Sequence, residues 1–128
     1  MSAKVKMLKT LNAKECLDDI KTLKNKKQFA SMWFKELRDK ICKSFEEIEN
    51  KKILNKQITF NQKSWERDGG GGGTISIMHG DVFEKVGVNI STVHGKFSKE
   101  FRQQIPGAEE NGLFWASGIS VVSHMCNP

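Results

Sequence analysis

The sequence predicts an α+β domain: an N-terminal amphipathic helix followed by strands of a mainly antiparallel sheet. Three observations lead there. Apolar residues recur at intervals of three and four between Gln28 and Asn50. Between Val82 and His94 they alternate at every second residue. Leu113 to Met125 is a long apolar run carrying small residues, and it is reached by connections too short for parallel crossovers.

In chain order, Met1 to Lys27 is a Lys-rich extension with a thin apolar pattern through Leu8, Leu11, Cys16, Leu17, Ile20 and Leu23, helical or frayed. Asn12 with Glu15 has the form of a helix-capping pair there. The domain proper spans 28–128. Its helix lines up Phe29, Met32, Trp33, Leu37, Ile41, Phe45 and Ile48 as a core-facing stripe. Glu36 with Lys40 and Asp39 with Lys43 are spaced to pair on the outer side. Ile53-Leu54 and Ile58 to Phe60 read as a short strand or an irregular entry to one, and Thr74 to Met78 as a β-branched strand. In the strand Val82–His94, Val86, Val88, Ile90 and Thr92 face one side, and Gly87, Asn89, Ser91 and Val93 the other. Pro106-Gly107 and Glu109-Glu110 mark a short helix and loop before the last strand.

Charge and cysteine content narrow the function classes. The net charge of +6 is concentrated in residues 1–63, where 16 Lys and Arg stand against 8 Asp and Glu; the remainder has 5 against 7. That charge is nearly all Lys, interleaved with acids and without an Arg-rich or aromatic face. It reads as a solvated helix surface, not as a nucleic-acid or lipid-binding arm. The three cysteines, Cys16, Cys42 and Cys126, are widely spaced and form no CxxC pair. Neither a disulfide framework nor a zinc module is indicated, and a cytoplasmic location is expected. No apolar run approaches the roughly 20 residues of a membrane span.

Two stretches invite chemistry. Gly69 to Gly73 follow Trp65-Glu-Arg67-Asp. The run lacks the Lys of a phosphate loop and the register of a dinucleotide fingerprint. A slack linker and a backbone turn made for close approach both remain open on composition. In GISVVSH, Gly118 to His124, strand alternation puts Ala116, Gly118, Ser120, Val122 and His124 on one face. At a rise of about 3.3 Å per residue, Ser120 and His124 have α-carbons roughly 13 Å apart, too far for a nucleophile–base pair but suited to two points on one large ligand. An ordinary strand histidine with a backbone partner is the plainer reading of His124. The histidines His79, His94 and His124 form no metal-binding motif.

These residues carry a resemblance. Trp65-Glu-Arg67-Asp with Gly69–Gly73, Val82-Phe-Glu-Lys-Val-Gly-Val-Asn-Ile-Ser91 with Val93-His-Gly95, and Gly118-Ile-Ser120-Val-Val-Ser-His124 with Asn127-Pro128 closely resemble the oxygen-dependent coproporphyrinogen III oxidases, from about Trp33 to Pro128. The resemblance implies a broad antiparallel sheet flanked by helices, a homodimer, and oxidative decarboxylation of two propionates of coproporphyrinogen III to vinyl groups, giving protoporphyrinogen IX. O₂ would be the co-substrate and no organic cofactor would be needed. It further implies that Ser120 contacts substrate and that His124 is a divalent-metal ligand, with Arg67 available for a propionate.

Two departures stand out. The family usually reads His-Pro-x-Asn-Pro, but this chain has Met125 and Cys126 after His124, losing a rigid proline. The family also continues well beyond the position of Pro128, and that part carries the proton-donating histidine and further metal ligands. The expectation is therefore a truncated, incomplete fold with no catalytic residue of its own and no turnover alone. A complementing C-terminal fragment would be its partner; a non-catalytic remnant that binds a tetrapyrrole or another chain is the alternative. Unpaired strand edges should make such a chain poorly soluble or oligomeric.

Overall fold

A computed structural model describes residues 23–52 and 57–127. The readings for residues 1–22, including the Asn12–Glu15 cap, and for Ile53-Leu54 lie outside them. Helix α1 runs Leu23–Glu49, without a break at residue 27, and ends in a 3₁₀ turn at Asn50–Lys52. Strands β1 (Asn61–Glu66), β2 (Gly71–Met78) and β3 (Phe83–Lys96) follow, then the short helix α2 (Lys99–Arg102) and β4 (Leu113–Met125). The strands form one antiparallel sheet in the order β1-β2-β3-β4, a simple meander. Among the described residues no helix is long and apolar enough to cross a membrane.

The α+β expectation holds, and β4 has the limits read from its composition. Helix α1 lies across one side of the sheet. Cys42 of the helix is buried with Ile58, Met78, Phe83, Val86 and Val88, and Phe45 meets Phe83 edge-on at 5.0 Å. Strand alternation explains why β3 puts Val86, Val88 and Ile90 into this layer. A hydroxyl link ties the helix to two strands at the other end. Thr92 Oγ1 donates to Ser31 Oγ at 3.3 Å and lies 2.8 Å from Ser117 Oγ, its neighbour across the β3–β4 pair.

The helix stripe needs correction. Trp33 and Ile48 are exposed, whereas Cys42 and Glu49 are the most buried residues of α1. The face that meets the sheet is rotated toward Cys42, and Trp33 instead lies under the Lys40 ammonium, 5.3 Å from the ring centre. Glu36 pairs with Lys40 at 2.8 Å as read, but Asp39 pairs with neighbouring Arg38 at 2.7 Å and Lys43 reaches Glu47 instead.

The end of α1 guides the chain into the sheet. Asn50 Nδ2 donates to the carbonyls of Glu46 and Ile58, and its Oδ1 accepts from Ile58 N. Phe60 N donates to Glu46 Oε1 at 2.8 Å. These bonds satisfy helix-end groups with the incoming chain. Residues 57–60 are consequently an irregular entry, and the strand begins at Asn61. The Glu49 carboxylate accepts from the N–H groups of Asp81, Val82 and Phe83, closing the β2–β3 turn. Burial alone would raise its pKa, but the three backbone N–H groups outweigh that and hold it below the ordinary glutamate value.

Candidate functional site on the bare face of the sheet

Residues directly opposite in an antiparallel pair point to the same side of the sheet. Applied to this register, the rule puts Gly95 with Phe114, and Gly71 with Val93 and Ala116, on the side away from α1 at its glycine end, followed by four further rows. Trp65, Gly73, Ser91 and Gly118 form one; Lys63, Ile75, Asn89 and Ser120 the next; Asn61, Ile77, Gly87 and Val122 the third. Lys85 with His124 is the last. Ser120 and His124 thus share one face, bare among the described residues, as strand alternation requires, and both are exposed.

Two grooves lie along it. One, of about 490 Å³, is bounded by Trp65, Ile75, Asn89, Gly118 and Ser120. The other, of about 290 Å³, is bounded by Ile77, Lys85, Gly87, Asn89, Val122 and His124. Asn89 belongs to both, so the grooves adjoin. A further cavity of about 370 Å³ opens on the opposite side, between α1 and the glycine end of β2. Gly72 and Gly73 line it, but Arg67, Ser120 and His124 do not.

The glycine run builds the hairpin that ends this face. Residues 67–70 form a turn in which Gly70 N donates to Arg67 O and Arg67 N to Gly71 O, both at 2.9 Å. Gly70 and Gly71 have φ of 119° and 85°, conformations that side chains resist. The strand starts inside the run, at Gly71 rather than Thr74, and Gly71 to Gly73 pair with Val93, Thr92 and Ser91. A Cβ at Gly71 would strike the Thr92 carbonyl, and one at Gly73 the Ile90 carbonyl and the Trp65 ring. The run is an ordered turn and strand, not a linker.

Arg67 sits beside this turn. Its Nη1 donates to His94 O at 3.2 Å, and its guanidinium lies 5.4 Å from the centre of the Phe114 ring. Phe114 in turn stacks on Phe97 at 4.4 Å. Phe114 is six residues from Ser120 along β4, roughly 20 Å at about 3.3 Å per residue. Arg67, at the hairpin end, and Ser120 therefore lie well apart along the face and do not meet at one atom of a ligand.

The other histidines are elsewhere. His79 Nδ1 contacts the Glu84 carbonyl at 2.9 Å in the β2–β3 connection, and His94 stands beside the glycine turn. A divalent ion needs three or four protein donors, and among the described residues no group of three or more His, Cys, Asp or Glu is assembled for one. The residue opposite His124 is Lys85, itself a cation. The described residues do not by themselves fit a metal.

Sequence reasoning did not single out Lys85, Gly87 or Asn89. Alternation had joined Gly87 to Asn89, but only the register brings them beside Ser120 and His124. Charge is also one-sided: the paired strand positions of the bare face include Lys63 and Lys85 and no acid, with Arg67 at the end.

Among the described residues, the arrangement is a helix-backed sheet: one side packs against α1, and the paired strand positions of the other carry lysines and no acid. Residues 29–128 match the family model described as coproporphyrinogen III oxidase. The oxygen-dependent coproporphyrinogen-III oxidase of Rickettsia felis is 56% identical over 105 residues, covering 80% of this chain and 38% of that protein. Its counterpart in Rickettsia bellii is 55% identical over 108 residues, covering 82% and 39%. The chain belongs to the coproporphyrinogen III oxidase family. It spans less than two fifths of the length of these curated relatives.

Proposed function

We propose that this chain forms the substrate-facing sheet of an oxygen-dependent coproporphyrinogen III oxidase, an oxidoreductase of haem biosynthesis. The observation that carries the reading is the bare face itself: Ser120 and His124 share it with cations and no paired acid. Coproporphyrinogen III is a broad ring bearing four carboxylates, so its shape and charge complement such a surface. Gly118 keeps the floor low, the Trp65 indole bounds it, and Ser120 supplies a hydroxyl for a polar group of the substrate.

In the reaction, each of two propionates loses CO₂ and its remaining two carbons become a vinyl group. That change releases two electrons and a proton. O₂ accepts both electrons and, with the released proton and one more from solvent, becomes peroxide. No organic cofactor enters this balance. The sheet's contribution is orientation, holding the carboxylates while the ring reacts. Arg67 is the candidate propionate partner at the hairpin end, since only one of its five N–H donors is engaged by His94. His124 is the candidate divalent-metal ligand, with co-ligands from a further segment or a complementing chain. The proton-donating histidine would come from the same source, in a cytoplasmic homodimer.

A chimera tests this. Residues 29–128 replace the matching region of the Rickettsia felis relative, and conversion of coproporphyrinogen III is followed in air. The expected result is an active chimera that loses activity with Ser120→Ala, while the 128-residue chain alone is inactive. A folded chimera without activity would overturn the oxidase reading. Turnover by the chain alone would overturn its dependence on a further segment.

A further inference from the structure

The groove around Gly87 has no role yet. Gly87 lies mid-strand in β3 with no left-handed φ. A Cβ there would meet only Asn89 Nδ2, at an ordinary 3.6 Å. Neither the backbone nor the packing requires glycine, although glycine within a strand costs roughly 0.5–1 kcal/mol relative to alanine. What the missing side chain leaves is space, directly over the strand and beside three nitrogen-bearing groups. The Lys85 ammonium, the Asn89 amide and the His124 imidazole line this groove, with Ile77 and Val122 as apolar walls. Asn89 Oδ1 accepts from Ser76 N at 3.3 Å, which turns the amide oxygen toward β2 and leaves the NH₂ beside Gly87. Among the described residues no carboxylate pairs with Lys85.

We infer that the Lys85–Gly87–Asn89 groove is a carboxylate subsite that takes one propionate arm of the tetrapyrrole. The inference rests on the oxidase reading and adds to it a specific contact. The arm's methylenes lie against Ile77 and Val122, and its carboxylate meets Lys85 and the Asn89 N–H. Gly87 leaves room for the arm, while the adjoining groove beside Ser120 holds the ring. The occupant is an organic carboxylate because the polar lining offers donors and a cation, and no acidic side chain lines the groove.

Fluorescence titration of the 128-residue chain with coproporphyrin III, the stable oxidised form of the ring, provides the test. Lys85→Gln should weaken binding about fivefold at low ionic strength, and the difference should shrink near 0.5 M salt as screening removes the charge contribution. Lys85→Arg should restore most of the affinity. Gly87→Val, which fills the groove without left-handed strain, should weaken binding about tenfold and leave the circular dichroism of the fold unchanged. Binding that neither Lys85→Gln nor Gly87→Val weakens would overturn the subsite alone. No binding of coproporphyrin III by the parent chain would overturn both the subsite and the tetrapyrrole reading beneath it.

Discussion

Two sets of glycines lie on this sheet, and they do opposite things. Gly70, Gly71 and Gly73 are hemmed in by their own protein: two by positive φ, and all by neighbours that a Cβ would strike. Gly87 and Gly118 have ordinary backbone and open space, with nothing within 4 Å of a Cβ at Gly118. The crowded set answers to the fold. The open set has no such cause in the fold, where a strand gains from a side chain, and on the proposed reading it makes room for ligand. A run of five glycines draws the eye in the sequence, yet it is Gly87 and Gly118 that mark the proposed ligand side.

The comparison breaks or holds first on stability. Gly71→Ala should cost about 2–4 kcal/mol, since the left-handed backbone and the Thr92 carbonyl must both be accommodated. Gly118→Ala should be neutral or stabilising by up to about 1 kcal/mol. Urea denaturation of the two variants decides the matter, and equal losses would erase the distinction. Gly118→Ala should nonetheless weaken coproporphyrin III binding about tenfold, because its methyl rises into the groove beside Ser120. Unchanged affinity would return Gly118 to the status of a passive residue.

A second turn sharpens the contrast. The β1–β2 turn is closed by its own glycine backbone, but the β2–β3 turn is closed by a helix side chain, Glu49. Gly80 belongs with the crowded set for that reason: a Cβ there would run into the Glu49 carboxylate. The folded-state pKa of Glu49 is depressed, so its contribution is fully present above the unfolded-state pKa. It is lost as the pH falls through the folded value. Glu49→Gln should lower stability by about 2–3 kcal/mol at neutral pH. The gap should narrow in acid, where the parent carboxyl is also protonated. A gap independent of pH would mean that shape, not charge, holds the turn.

Much of this was legible in the residues. Strand alternation identified Val86, Val88 and Ile90 as one face, and it put Ser120 with His124, because a two-residue period needs no partner to be read. The helix was harder. A stripe at three and four spans a wide arc, and nothing local says which part meets the sheet, so Trp33 and Ile48 were read inward. Glu49 was invisible as a core residue, since its partners at Asp81, Val82 and Phe83 lie 32–34 residues away. Lys85 was obscured by the irregular pairing between Phe83 and Lys85, which shifts the register at the start of β3. Glycine crowding depends on cross-strand neighbours, so the difference between Gly73 and Gly118 could not be read from spacing.

The smallest effect separates the two sides of the sheet by thiol chemistry. Cys42 is buried on the helix side, and Cys126 is exposed just past the end of β4. Burial pushes the Cys42 thiol up to about 11, against the opposing pull of the Arg38 guanidinium. Only about one molecule in a thousand would hold a thiolate there at pH 8, and the thiolate is the nucleophile. Iodoacetamide labelling with peptide mapping should therefore modify Cys126 within minutes and Cys42 only after denaturant is added. Ligand on the bare face should leave Cys42 protected, because the helix layer does not take part in binding. Gly71→Ala, which loosens the hairpin from β3, should raise the logarithm of the Cys42 rate in proportion to the stability it removes. If Cys42 instead reacted as fast as Cys126 in the parent chain, the helix would not be seated on the sheet. The division into a packed side and a bare side would then fall with it.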